Sequence, residues 1–297
     1  MLKMICLIIS ILNSTWVYPL DKVLVEKVSK SLEEINKGND ANYCHKLPEQ
    51  HPQKISDILA SLKVNEKSID CEAVTVKGCE YTQCIAPADF LKSYPKPVAF
   101  LIPKGLTHPE SLKVHFHGYT TFQNKWDKSL KSLIKSFEFG SATCLNKTQI
   151  ISVPFSQNNK EADFVEHLGN ENQFNAYIEE FQQIINHSFK DAITLSAHSG
   201  GGKIIGNILH ANKNQNIEEL QIYDGLYAKS WADKLHAWHI KNLSKKIKLY
   251  AIKDSAPATW SEYLLNKASG HESLSLTIES SHGGFHHWEI NRDNWNN

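Results

Sequence analysis

The segment Ala197-His198-Ser199-Gly200-Gly201 limits what this chain can fold into more than any other. It follows the apolar run Ile193-Thr194-Leu195 and precedes a helical run over 203–209. A serine raised on an abrupt strand-to-helix turn takes strained backbone angles, so the residues two before and two after it must be small. Here they are Ala197 and Gly201. Such a turn lifts the hydroxyl above the sheet and aims a helix N-terminus at negative charge developing beside it. Ser199 is therefore the candidate nucleophile. The competing reading is a glycine-rich connection that only caps a helix or cradles a phosphate. A Walker-type phosphate loop does not fit: Gly202-Lys203 is followed by Ile204, and Ala197 stands five residues before Gly202, where that loop requires glycine.

Around this turn the pattern alternates. Short apolar strands are expected over 98–102, 112–117, 149–154, 192–197, 220–223, 246–252 and 274–278. Helices are expected between them over 126–137, 172–189, 201–211, 231–243 and 260–267, with a closing helix over 287–295. Buried strands alternating with amphipathic helices predict an α/β fold with a mostly parallel sheet covered on both faces. Upstream, helical periodicity runs over 21–37 and 52–63. A Cys-rich stretch over 71–84, containing Ala73-Val74-Thr75-Val76, reads as β. The expected organisation is a signal peptide over 1–17, an N-terminal helical and Cys-rich extension over 18–96, and the α/β domain over 97–297.

Lys plus Arg equal Asp plus Glu at 32 each among 297 residues, which argues against a nucleic-acid partner. The N-terminus has the pattern of an export signal: Lys3, an apolar run over 4–12, then Asn13-Ser14-Thr15. That run is too short to span a bilayer, and no later segment approaches about 20 apolar residues. An uncleaved anchor or a buried helix is the alternative for it. Export leads to a secreted or periplasmic location and, for the crowded cysteines, to disulfides. Removal of Cys6 leaves Cys44, Cys71, Cys79, Cys84 and Cys144, an odd number, so at least one thiol stays free or pairs between chains. The spacings do not match paired C-x-x-C zinc knuckles.

With these motifs, residues 97–297 resemble the α/β-hydrolase superfamily. The likeness is nearest to bacterial exported members with an A/G-H-S-G-G turn and an Asp-Ala/Gly-Leu-Tyr segment ending the next strand, here Asp224-Gly225-Leu226-Tyr227. It implies an α/β-hydrolase fold and a serine hydrolase. It also implies an oxyanion hole built by the amides of Tyr119 and Gly200, with Gly118 in the same His117-Gly118 turn. His117 itself would brace the loop; His115 and His117 as an H-x-H metal pair is the alternative. A serine hydroxyl needs a base, and the base needs an orienting carboxylate. Asp224 and Asp254 both qualify as the acid, with Asp224 preferred. The base comes from Ser281-His282-Gly283-Gly284-Phe285-His286-His287, with His282 preferred over His286 and His287.

The expected activity is cleavage of an ester, thioester or amide in a small-molecule or polymer substrate through an acyl-enzyme, with no cofactor or metal. An esterase or peptidase acting on an accessible substrate is expected ahead of an interfacial lipase, since no long apolar lid is evident; a carboxylic ester hydrolase is the first reading and a serine peptidase the alternative. The rival classes are an inactive hydrolase-fold binding protein and a metal hydrolase, the latter without an H-E-x-x-H set. Substrate identity, disulfide pairing and oligomeric state stay open.

Overall fold

The computed structural model describes residues 53–280, apart from 65–66, 119–125, 157–161, 190–191 and 211–215, together with Ile290 and Asn294. The expected signal peptide and the helix over 21–37 lie outside the described residues, as does the closing helix over 287–295 apart from Ile290 and Asn294, which are helical. A short helix α1 (Ile55–Ser61) and a small antiparallel pair, β1 (Lys63–Val64) and β2 (Lys67–Ser68), lead into the main sheet.

That sheet has nine strands: β3 (Asp70–Val76), β4 (Cys79–Ala86), β5 (Val98–Pro103), β6 (Ser111–Phe116), β7 (Gln149–Pro154), β8 (Ile193–His198), β9 (Ile217–Tyr223), β10 (Lys246–Ile252) and β11 (Leu274–Glu279). They lie in the order β11-β10-β9-β8-β6-β7-β5-β4-β3. From β7 through β11 every pairing is parallel, while β3, β4 and β5 join antiparallel at one side. The parallel region needs cover on both faces, which is why β8, at its centre, is buried at every residue.

The helices supply that cover. They are α2 (Trp126–Ser136), α3 (Phe139–Leu145), α4 (Ala162–Leu168), α5 (Glu171–Ile184), α6 (Gly202–Ile208), α7 (Lys229–His239) and α8 (Ala256–Lys267). Successive strand residues point to opposite faces, and two cores result. Val98, Phe100, Leu112, Val114, Leu195 and Ile222 pack with Phe174, Phe181, Ile205, Leu235 and Leu264 from α5 to α8. Ala99, Leu101, Ile151 and Val153 pack with Leu130, Leu133 and Phe139 from α2 and α3, and with Ile290. Phe100 and Phe181 stack with ring centroids 4.5 Å apart. Among the described residues, side-chain N-caps are seen on α5 and α8. Asn170 Oδ1 accepts from the Gln173 amide at 3.0 Å, and Ser255 Oγ accepts from the Ala258 amide at 3.1 Å, with Pro257 in the first turn of α8.

The cysteines are paired within this frame. Cys71 and Cys84 face each other across β3 and β4 and form one disulfide; Cys79, at the start of β4, is bonded to Cys144 in α3. Cys44 lies outside the described residues. No helix among them is long and apolar enough to cross a membrane.

One feature of the strand order positions the site. From β6 the chain moves outward to β7, then returns to the other flank of β6 as β8. The connections leaving β6 and β8 therefore run toward opposite edges of the sheet, and the carboxyl ends of these two strands form the switch point where ligands usually bind in an open α/β sheet.

Candidate active site

Ser199 sits at that switch point. Strand β8 ends at His198, and residues Ser199–Gly201 form a single 3-10 turn that runs directly into α6. The Ser199 backbone has φ of 52°, a left-handed value that is sterically unfavourable for a residue with a side chain. The crowding around it explains the local sequence. A Cβ on Gly201 would lie 2.3 Å from the Phe116 carbonyl oxygen, so no larger residue fits two places after the serine. A Cβ on Gly118 would lie 2.5 Å from Ser199 Cβ, so the turn after β6 packs directly onto the turn after β8. Ser199 itself is 9% exposed.

The His117-Gly118 turn is held by a buried polar chain that the sequence did not reveal. His117 Nδ1 donates to the Gly118 carbonyl at 2.7 Å, and its Nε2 accepts from the Ser156 amide at 3.0 Å. Ser156 Oγ donates to Asp163 at 3.2 Å, and Asp163 pairs with Lys96 at 3.4 Å. With both ring nitrogens engaged, His117 is fixed as the neutral tautomer protonated on Nδ1. Burial pushes its pKa down to about 4, against small opposing effects of the Gly118 bond and Asp163. His115 lies on the same sheet face and is bonded to Ser196 Oγ at 2.8 Å. Burial, then the neighbouring His198, holds it neutral as well. His117 thus acts as a brace in this arrangement, and its nitrogens are not presented to a metal.

The two candidate acids differ sharply in surroundings. Asp224 follows β9, the neighbour of β8, and is buried at 3% exposure with φ of 43°. Its carboxylate accepts from the Ile252 amide at 3.3 Å and from Ser255 Oγ at 3.4 Å. Its own amide donates to the Tyr250 carbonyl at 2.7 Å. Asp254 lies in the turn after β10 and is exposed. The residue after Asp224 touches the serine turn: a Cβ on Gly225 would lie 3.1 Å from the Ser199 carbonyl oxygen.

Tyr227 lies three residues beyond Asp224, and its side chain is close enough to Ser199 to feel it. Burial raises the phenol's pKa, the nearby Ser199 side chain opposes this, and the Asp224 charge adds to the rise.

The structure thus brings together Ser199, Gly200, Gly118 and the Asp224 loop. Tyr119 and the candidate bases His282, His286 and His287 lie outside the described residues.

No protein-family model matches the chain, and no curated protein sequence matches it. Solved structures similar to it include an S-formylglutathione hydrolase from Agrobacterium tumefaciens, at 12% identity over 76% of this chain and 95% of that one, TM-score 0.46. A ferulic acid esterase is similar at 10% identity over 77% and 96%, TM-score 0.47. A poly(3-hydroxybutyrate) depolymerase from Bordetella parapertussis is similar at 11% identity over 81% and 92%, TM-score 0.46.

Proposed function

We propose that the protein is an exported serine hydrolase that cleaves a carboxylic ester, within the wider class of esters, thioesters and amides, through an acyl-enzyme. The observation that carries this reading is the left-handed Ser199 on a strand-to-helix turn, packed against the Gly118 turn at the carboxyl ends of β6 and β8. Ser199 Oγ attacks the carbonyl carbon as a histidine takes its proton. The amides of Gly200 and Tyr119, with the Gly118 turn between them and the strand, receive the negative charge on the carbonyl oxygen. One such donor contributes about 3 kcal/mol to the transition state. The histidine then protonates the leaving group, and water releases the acid by the same route in reverse.

Asp224 is the acid that orients the histidine: it is buried, pre-set by an amide and a hydroxyl, and joined to the serine turn through Gly225. The base is His282, with His286 the alternative. The two disulfides support export to an oxidising compartment, periplasmic or extracellular.

A fluorophosphonate probe tests the reading. The wild type is expected to be labelled at Ser199, and Ser199→Ala to lose the label. Asp224→Asn is expected to lower kcat by about 10⁴-fold, and Asp254→Asn to stay within about threefold of wild type. An unlabelled wild type, or Asp254→Asn as the damaging change, would overturn the assignment.

A further inference from the structure

Ser199 is almost closed off, yet the side chain beside it is not: Tyr227 is 41% exposed. A substrate descending on Ser199 therefore meets the Tyr227 ring. Two features hold that ring still. Its backbone follows the Asp224-Gly225 corner, where Gly225 packs on the serine turn and a Cβ on Gly202 would come within 2.1 Å of the Gly225 carbonyl oxygen. Its side is met edge-on by Trp231, at 6.4 Å between centroids and 74° between planes, and Trp231 is anchored against the core beneath α7.

An exposed aromatic ring costs free energy in water, and a fixed one loses little further freedom when a ligand covers it. Flat rings gain more from such a surface than equally apolar puckered ones, because offset stacking adds to area burial. We propose that Tyr227, backed by Trp231, is a specificity-determining platform that binds a flat ring carried by the ester substrate, so that the preferred substrates are esters with an aromatic group within a few bonds of the carbonyl. The inference rests on Ser199 being the nucleophile. Trp231 acts through Tyr227 and is a positioning residue.

The test uses substrate pairs that differ in flatness and little else. One pair is methyl 3-phenylpropanoate and methyl 3-cyclohexylpropanoate, for a ring on the acyl side. The other is benzyl acetate and cyclohexylmethyl acetate, for a ring on the alcohol side. In one pair the aromatic member is expected to show a KM lower by about three- to tenfold at similar kcat. Tyr227→Leu keeps an apolar side chain and should erase the preference; Tyr227→Phe keeps the ring and should retain it. Fluorophosphonate labelling of Ser199, with a small alkyl probe, should proceed in Tyr227→Leu, which shows that the variant is folded. Equal KM values within both pairs, or a preference that survives Tyr227→Leu, would overturn the platform while leaving the nucleophile in place. Loss of labelling in the wild type would overturn the nucleophile and the platform with it.

Discussion

The strain at Ser199 can be measured with two substitutions. Ser199→Ala and Ser199→Gly both remove the hydroxyl, so comparing them isolates the Cβ. At φ of 52° that Cβ is crowded by the backbone, a cost of roughly 1–2 kcal/mol for an L-residue in the left-handed region. Glycine escapes it but gives up roughly 0.5–1 kcal/mol through greater freedom in the unfolded chain. The gap left against Gly118 trims the gain slightly. Ser199→Gly should therefore be more stable than Ser199→Ala by about 0.5–1 kcal/mol, a difference of about 2 °C in Tm for a domain of this size. Differential scanning calorimetry of the two oxidised variants resolves such a difference, and neither variant should be labelled by a fluorophosphonate. An Ala variant equal to or more stable than the Gly variant would mean that the turn is relaxed, and the argument from strain to nucleophile would fail.

Acid should act through His117. Its folded-state pKa, about 4, lies below the ordinary 6.5, so the unfolded chain takes up the proton first as pH falls. The stabilisation is whole above pH 6.5 and is lost between there and about pH 4, in total about 3 kcal/mol. Urea midpoints across that range should fall, and His117→Asn, which can keep one donor and one acceptor, should flatten the fall by about one proton; an unchanged slope would refute the brace. The disulfides should rank by the chain they enclose: removing Cys79–Cys144, 65 residues apart, should cost about 4 kcal/mol, and removing Cys71–Cys84, 13 apart, about 3. Chemical denaturation of the two double-alanine variants checks the order, and a reversed order would refute it.

The parallel strands were legible because each is a short apolar run, buried on both faces in β6, β7 and β8; β7 and β10 match their expected limits. Strand β9 begins three residues before the expected Leu220, since Glu218 and Glu219 read as polar. In the fold they are covered by partners, Lys245 on Glu218 and Lys248 on Glu219. Helix α8 starts at Ala256 and not at Trp260; the Ser255 cap and Pro257 were signals that went unused. Helices α3 and α4 were not expected. The sequence of α3, Phe-Gly-Ser-Ala-Thr-Cys-Leu, has weak helix propensity, and Glu138 in a left-handed conformation separates it from α2. Packing of Phe139 and Ala142 and the bond to Cys79 hold it in place. Only seven residues long, α4 offers too few turns for a periodicity to register.

Within the site, the serine turn could be read because its sterics demand small residues at fixed offsets. The contrast between Asp224 and Asp254 could not, because both follow strands and only tertiary packing buries one of them. The chain Lys96–Asp163–Ser156–His117 joins residues from four separate segments, and no local pattern marks it.

The cysteine pairings also set an order of events during biosynthesis. Cys79 lies between Cys71 and Cys84, closer to each than to its true partner. The hairpin bond can close once β4 has emerged, but Cys79 must stay reduced while sixty more residues appear, and each nearby thiol is a tempting wrong match. A host making this protein therefore needs an oxidant gentle enough to wait, or an isomerase able to unpick early mistakes, and yields of correctly bonded enzyme should follow the supply of that isomerase.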